Sequence, residues 1–193
     1  QGYMKLKKED IITIPNFLSA ARFLMIPIFV ALYLTAENST QIRWAGCVLI
    51  LSGITDFLDG FIARTFHQIS ELGKAMDPIA DKLTQAAVIF CFVFRYPEII
   101  WLVILFVVKE LFMGINGLIL IQYGKKLGGA KWYGKLSTAV FDVVVVILLI
   151  FPDLDYRIIM GLFWTTGFFL ALSFILYIPV FVKMYQEVKQ EQK

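Results

Sequence analysis

The chain has 193 residues, of which 59% are hydrophobic, 16% aromatic and 17% charged, with a mean hydropathy of +0.75 and a net charge of +3. A soluble domain carries about 25% charged residues, so the composition excludes an ordinary soluble fold. It points to one all-α integral membrane domain over residues 1–193, with no nucleic-acid partner expected.

Gln1-Gly2-Tyr3 ahead of Met4 reads as an appended segment, with Met4 the natural start and no cleaved signal expected. Residues 1–16 are expected to form a cytoplasmic juxtamembrane segment. Within it, Lys5, Lys7 and Lys8 flank Ile11, Ile12 and Ile14, which suits a short interfacial helix ending at Pro15. Spanning helices need about 20 largely apolar residues. Six transmembrane helices are predicted near 17–36, 43–66, 75–95, 98–123, 134–151 and 157–182.

Lysines and arginines divide unevenly between the two sides. Lys5, Lys7, Lys8, Arg64, Lys74, Lys125, Lys126, Lys131, Lys135, Lys183, Lys189 and Lys193 fall on one side. The other side has Arg43, Arg95 and Arg157 beside Glu37, Glu98, Asp153 and Asp155. The positive-inside bias therefore puts both termini and both basic loops in the cytoplasm of a cell-membrane protein. Trp44, Trp101, Trp132 and Trp164 read as interface anchors. Cys47 and Cys91 lie in apolar runs without metal-ligand spacing and read as small hydrophobes.

Four carboxylates stand out against this background. Asp56 and Asp59 are three residues apart, and Asp77 and Asp81 are four apart. Each spacing puts a pair on one helix face. The second helix runs inward and the third outward, so all four acids are expected just under the cytoplasmic surface. Carboxylates at membrane depth are costly and mark ion sites, relays or pathways. Four together repel unless cations sit between them. Their hard oxygens suit Mg²⁺, Mn²⁺ or Ca²⁺, and a two-ion site would clamp a phosphoryl group. Gly60 and Gly73 permit close backbone approach, Ala63 keeps the face shallow, and Arg64 offers a planar fork for phosphate. A divalent-cation transporter would instead spread its acids along a route across the bilayer.

The stretch Asp56-x2-Asp59-Gly60-x2-Ala63-Arg64-x8-Gly73-x3-Asp77-x3-Asp81 matches every fixed position of the CDP-alcohol phosphotransferase signature. The chain thus resembles that family over nearly its whole length. The resemblance implies transfer of a phosphatidyl or substituted phosphoryl group from a CDP-linked donor to an alcohol, with release of CMP. It implies that Asp56, Asp59 and Asp77 hold two Mg²⁺ or Mn²⁺ ions. Asp81 would be the general base and touch a metal. Asp56, Asp59, Gly60, Ala63, Arg64 and Gly73 would line the CDP pocket. It further implies a homodimer, for which the third and fourth helices are the expected interface.

Asn16-x2-Ser19-x2-Arg22 resembles the opening of bacterial phosphatidylglycerophosphate synthases and their cardiolipin-synthase-like relatives, which adds Asn16 to the expected nucleotide contacts. Arg22, one turn into the membrane, needs an anion, either a phosphate or a motif aspartate. Those synthases carry an Arg-Glu pair and a further Arg. Here Lys109-Glu110 stands at the pair and Ile115-Asn116-Gly117 follows without arginine. A phosphorylated acceptor would then draw its cations from Lys109, Lys131, Lys135 and Arg22. The expected donor is CDP-diacylglycerol and the expected acceptor glycerol 3-phosphate, amid membrane lipids. The alternatives are a cardiolipin synthase of the CDP-diacylglycerol type, or an inositol phosphate, serine or choline acceptor.

Overall fold

Long apolar runs without period-2 alternation can satisfy their backbone in lipid only as helices, and helices are what form. The computed structural model describes the backbone of residues 14–65, 71–125, 127 and 129–191, and the side chains of 20–58, 79–125, 127 and 129–190. The described residues form six α-helices and no strand: α1 (Ile14–Leu34), α2 (Ser39–Thr65), α3 (Glu71–Arg95), α4 (Ile100–Gln122), α5 (Trp132–Ile150) and α6 (Tyr156–Glu191). A 3-10 turn, Pro97–Ile99, leads into α4. Three stretches are long and apolar enough to cross a membrane: Pro97–Gln122, Trp132–Ile150 and Tyr156–Gln190. Only 17% of the Pro97–Gln122 window is buried within the protein, so its apolar side chains face outward, as lipid requires. In α1 the described apolar stretch, Ala20–Leu34, is shorter.

Local chemistry sets the helix ends. Asn38 Oδ1 accepts the Gln41 N–H at 3.0 Å, and Gln41 Oε1 accepts the Glu37 N–H at 2.6 Å. This reciprocal cap starts α2 four residues before its expected position. At the start of α6, Asp155 Oδ1 accepts the Arg157 N–H at 2.8 Å. At the end of α4, Gly124 takes φ +73°, while its N–H bonds Ile121 O at 2.9 Å and the Lys125 N–H bonds Leu120 O at 2.9 Å. That is a Schellman stop, and its left-handed residue favours glycine.

Two expectations change at the ends of the chain. Ile14, Pro15 and Asn16 open α1 rather than closing a surface helix. Proline in a first turn gives up an N–H that would have no intrahelical partner anyway. The rest of the expected interfacial helix, residues 4–13, lies outside the described residues. α6 runs nine residues past its expected end at 182, because Val188 is buried with Leu120, Tyr177 and Phe181, and Met184 and Tyr185 pack against them.

The chain divides into two compact units: α1–α3 with Leu149–Asp153, and Arg95–Leu148 with the segment from Leu154 on. In the first, α1 packs on α2, and the buried rings of Phe29, Tyr33 and Phe92 tie α1 to α3. Arg43 donates to Ile150 O at 3.1 Å and Asp153 Oδ2 at 3.0 Å, and Ser39 also bonds Asp153. In the second, α4 packs on α6 through Phe112, which meets Phe174 and Phe181 edge-on. Tyr177 accepts the Lys131 N–H at 3.1 Å, Tyr133 donates to Leu176 O at 3.2 Å, and Tyr185 donates to Asn116 Oδ1 at 3.0 Å. Trp101 and Trp164 stack with centroids 4.5 Å apart, so these two expected interface anchors also face each other.

Gly167 is where the α4–α6 contact is tightest. A Cβ there would lie 2.3 Å from Trp101 Cζ3, whereas a Cβ on Gly161 of the same helix meets nothing within 4 Å. Gly167→Ala is expected to destabilise by about 1–3 kcal/mol through overpacking. Gly161→Ala is expected to be neutral or to gain about 0.5–1 kcal/mol from helix propensity. Thermal unfolding in detergent checks the pair; equal effects would show that ring clearance at Gly167 is unimportant.

Candidate active site

All four motif acids lie in continuous helix, Asp56 and Asp59 in α2, Asp77 and Asp81 in α3. The side chains of Asp59, Arg64 and Asp77 lie outside the described residues, as do those of Asn16 and Ala63 and the surroundings of Gly60 and Gly73.

The described acids converge on α1. Arg22 Nη1 sits 2.6 Å from Asp56 Oδ1 and 3.2 Å from Asp81 Oδ1. The arginine side chain is 3% exposed, while those of Asp56 and Asp81 are 44% and 56% exposed. A guanidinium buried so deeply is tolerated only beside anions, and here two carboxylates from two other helices supply them. The acids themselves stay open on their outer sides.

One turn along each helix the surroundings become apolar. Met25, Phe29, Leu49 and Ala87, with Ser52 and Thr84, line a narrow crevice beside the charged cluster. Ser52 precedes Asp56 by four residues and Thr84 follows Asp81 by three, so both share the acids' helix faces. That spacing from the acids is the signal in the sequence for these two hydroxyl residues. Thr84 Oγ1 donates to Ala80 O at 2.8 Å, so that hydroxyl is satisfied within its own helix.

The donor set fits a divalent ion. Hard carboxylate oxygens from two helices already converge on one cationic nitrogen. The motif places two further acids on the same helices. Carboxylate oxygens are the ligands that Mg²⁺ and Mn²⁺ take.

The remaining acceptor residues belong to the second unit. Lys109 is buried in α4, with Nζ 2.8 Å from Glu110 Oε1. Lys131 and Lys135 are exposed around the start of α5. Arg22, the fourth expected acceptor contact, is the one held by Asp56 and Asp81.

Residues 12–186 match the family model described as CDP-alcohol phosphatidyltransferase. The chain is similar to a CMP-forming cardiolipin synthase of Streptomyces coelicolor, 34% identical over 136 residues that cover 69% of this chain and 63% of the relative. It is 28% identical over 177 residues to a CDP-diacylglycerol–glycerol-3-phosphate 3-phosphatidyltransferase of Bacillus subtilis, covering 83% of this chain and 90% of the relative. A protein of the same name from Rickettsia typhi is 41% identical over 70 residues, covering 36% of this chain and 39% of the relative. The Streptomyces and Rickettsia matches thus span less than two thirds of those relatives' lengths. The family match takes in five of the six helices whole, from α1 through α5, and most of α6, and with it the complete aspartate motif. This chain, a multi-pass helical membrane protein, belongs to the CDP-alcohol phosphatidyltransferase family.

Proposed function

We propose that the protein transfers the phosphatidyl group of CDP-diacylglycerol to glycerol 3-phosphate and releases CMP. The observation that carries this reading is the convergence of Asp56 and Asp81 on one cation, within a motif holding two further acids. Asp56, Asp59 and Asp77 would hold two Mg²⁺ or Mn²⁺ ions, with Asp81 touching one. Bound there, the ions supply neutralising charge for the pyrophosphate and the departing CMP. Asp81, one turn from Asp77 and half-exposed, takes the proton of the acceptor hydroxyl, a role that needs a carboxylate within hydrogen-bond reach. Asn16, Gly60, Ala63, Arg64 and Gly73 form the nucleotide pocket in this reading. The lysine distribution supports a site and both termini on the cytoplasmic side, where a water-soluble acceptor would arrive while the lipid donor enters from the bilayer.

The acceptor rests on comparison. The Bacillus relative, matched over 90% of its length, carries glycerol 3-phosphate in its name. A second reading, CMP-forming cardiolipin synthesis with a lipid acceptor, is favoured by the Streptomyces relative and by the close pairing of Lys109 with Glu110. A lysine already neutralised by its neighbour has less to offer a phosphate. We propose a homodimer, as the family resemblance implies. The exposed stripe of Ile104, Val107, Val108, Leu111, Ile115 and Leu118 on α4 suits lipid or a second copy.

Metal dependence is the first test. CMP release is expected to stop in excess chelator and to return with Mg²⁺ or Mn²⁺; full activity in chelator would sink the two-ion reading. Asp56→Asn and Asp77→Asn should each abolish turnover. Asp81→Asn should keep CDP-diacylglycerol binding and lose transfer, and turnover near the wild-type rate would remove Asp81 as the base.

An acceptor panel separates the two readings. With glycerol 3-phosphate as substrate, Lys131→Ala and Lys135→Ala should each raise its KM while leaving that of CDP-diacylglycerol nearly unchanged. A charge-assisted contact is worth up to about 100-fold in affinity. Because both lysines are exposed and screened, about threefold to tenfold is expected. Activity with phosphatidylglycerol and none with glycerol 3-phosphate would select the cardiolipin reading.

A further inference from the structure

We propose that Tyr177 of α6 is a positioning residue for the acceptor: it fixes the first turn of α5, and with it Lys131 and Lys135, so that both ammonium groups meet the phosphate of the alcohol. The proposal rests on the glycerol 3-phosphate reading above and deepens it. Tyr177 is 3% exposed and packs with Leu120, Phe181 and Val188, so its ring has a fixed place on α6. Its hydroxyl oxygen accepts the Lys131 N–H at 3.1 Å, directly ahead of α5. Lys131 O in turn accepts the Lys135 N–H at 3.1 Å, which starts the helical ladder. One phenol thus sits on the turn that carries both lysines.

Gly134 makes that seat possible. A Cβ there would lie 2.5 Å from Tyr177 Oη and 3.2 Å from its Cε2 and Cζ, so any side chain would force a shift. Tyr133 adds to the contact: its ring meets that of Tyr177 edge-on at 4.8 Å, and its hydroxyl donates to Leu176 O at 3.2 Å. Lys131, Tyr133 and Gly134 are therefore all held by Leu176-Tyr177, while Lys131 and Lys135 themselves remain exposed. Long lysine stems lose much rotamer freedom when they bind, so the turn they grow from is the part a protein can fix in advance. The two lysines are four residues apart, a spacing that puts both on one face and lets them share one phosphate.

Steady-state CMP release by the purified full chain in detergent tests this, with each substrate varied in turn. Tyr177→Phe keeps the ring and loses one hydrogen bond. It should raise the KM for glycerol 3-phosphate about threefold, the order of one neutral hydrogen bond. Both kcat and the KM for CDP-diacylglycerol should stay nearly unchanged. Gly134→Ala pushes on the same hydroxyl and should raise the acceptor KM at least as much. Tyr185→Phe is the control, since its hydroxyl bonds Asn116 on α4 at 3.0 Å instead. It should leave both KM values as they are, and an equal rise there would mark a general loosening of α6 and overturn the proposal. A merely structural Tyr177 would lower kcat or move both KM values together, and either result overturns the proposal. So does an unchanged acceptor KM in Tyr177→Phe while Lys131→Ala or Lys135→Ala raises it, a result that leaves the acceptor reading standing. If neither lysine variant raises it, or the enzyme is inactive with glycerol 3-phosphate, the acceptor reading fails and the proposal with it. If Tyr177→Phe does not fold, Gly134→Ala decides by the same split.

Discussion

Excess negative charge in a low-dielectric bundle is the constraint around which the first unit is organised. Asp56 and Asp81 face the same guanidinium, and that guanidinium is almost fully buried. The buried arginine needs anions, and the two carboxylates supply them. The requirement fixes the register of α1 against α2 and α3 more tightly than apolar contacts could, because apolar contacts between membrane helices tolerate sliding. The ring contacts of Phe29, Tyr33 and Phe92 lie about two to three turns further along and reinforce the same alignment.

The second unit uses a different principle. It is held by aromatic edges and by hydroxyls that reach main-chain or amide groups: Tyr133 to Leu176 O, Tyr185 to Asn116, and Tyr177 to the Lys131 N–H. Its buried charge, Lys109, lies beside a neighbouring carboxylate on its own helix. Ionic contacts between helices are thus described where the aspartate motif lies, and aromatic and hydroxyl contacts are described between α4 and α6.

Much of this was legible in the sequence, for physical reasons that differ by element. Twenty-residue apolar runs announced the six helices, since a bilayer admits few other backbones. The lengthening of α6 was not legible that way, because Lys183, Gln186 and Glu187 end the apolar run while Met184, Tyr185 and Val188 keep a helical face buried. The early start of α2 was written in Asn38-Ser39-Thr40-Gln41, a capping sequence that hydropathy does not weigh. For the site, the spacing of the aspartates gave their helices and shared faces. The need of Arg22 for an anion was also plain. A motif aspartate was one of its two expected partners; that Asp56 and Asp81 both serve depends on three-helix register, which no local pattern carries.

The stacked tryptophans carry a spectroscopic consequence. Of the four tryptophans, Trp101 and Trp164 lie 4.5 Å apart with ring planes inclined by 24°, and Trp44 and Trp132 are highly exposed. Two indoles that close couple their electronic transitions, and a chiral arrangement of the pair splits the resulting circular-dichroism band into a couplet. The ultraviolet spectrum of the unmodified protein therefore contains a built-in optical gauge of whether α4 and α6 are docked.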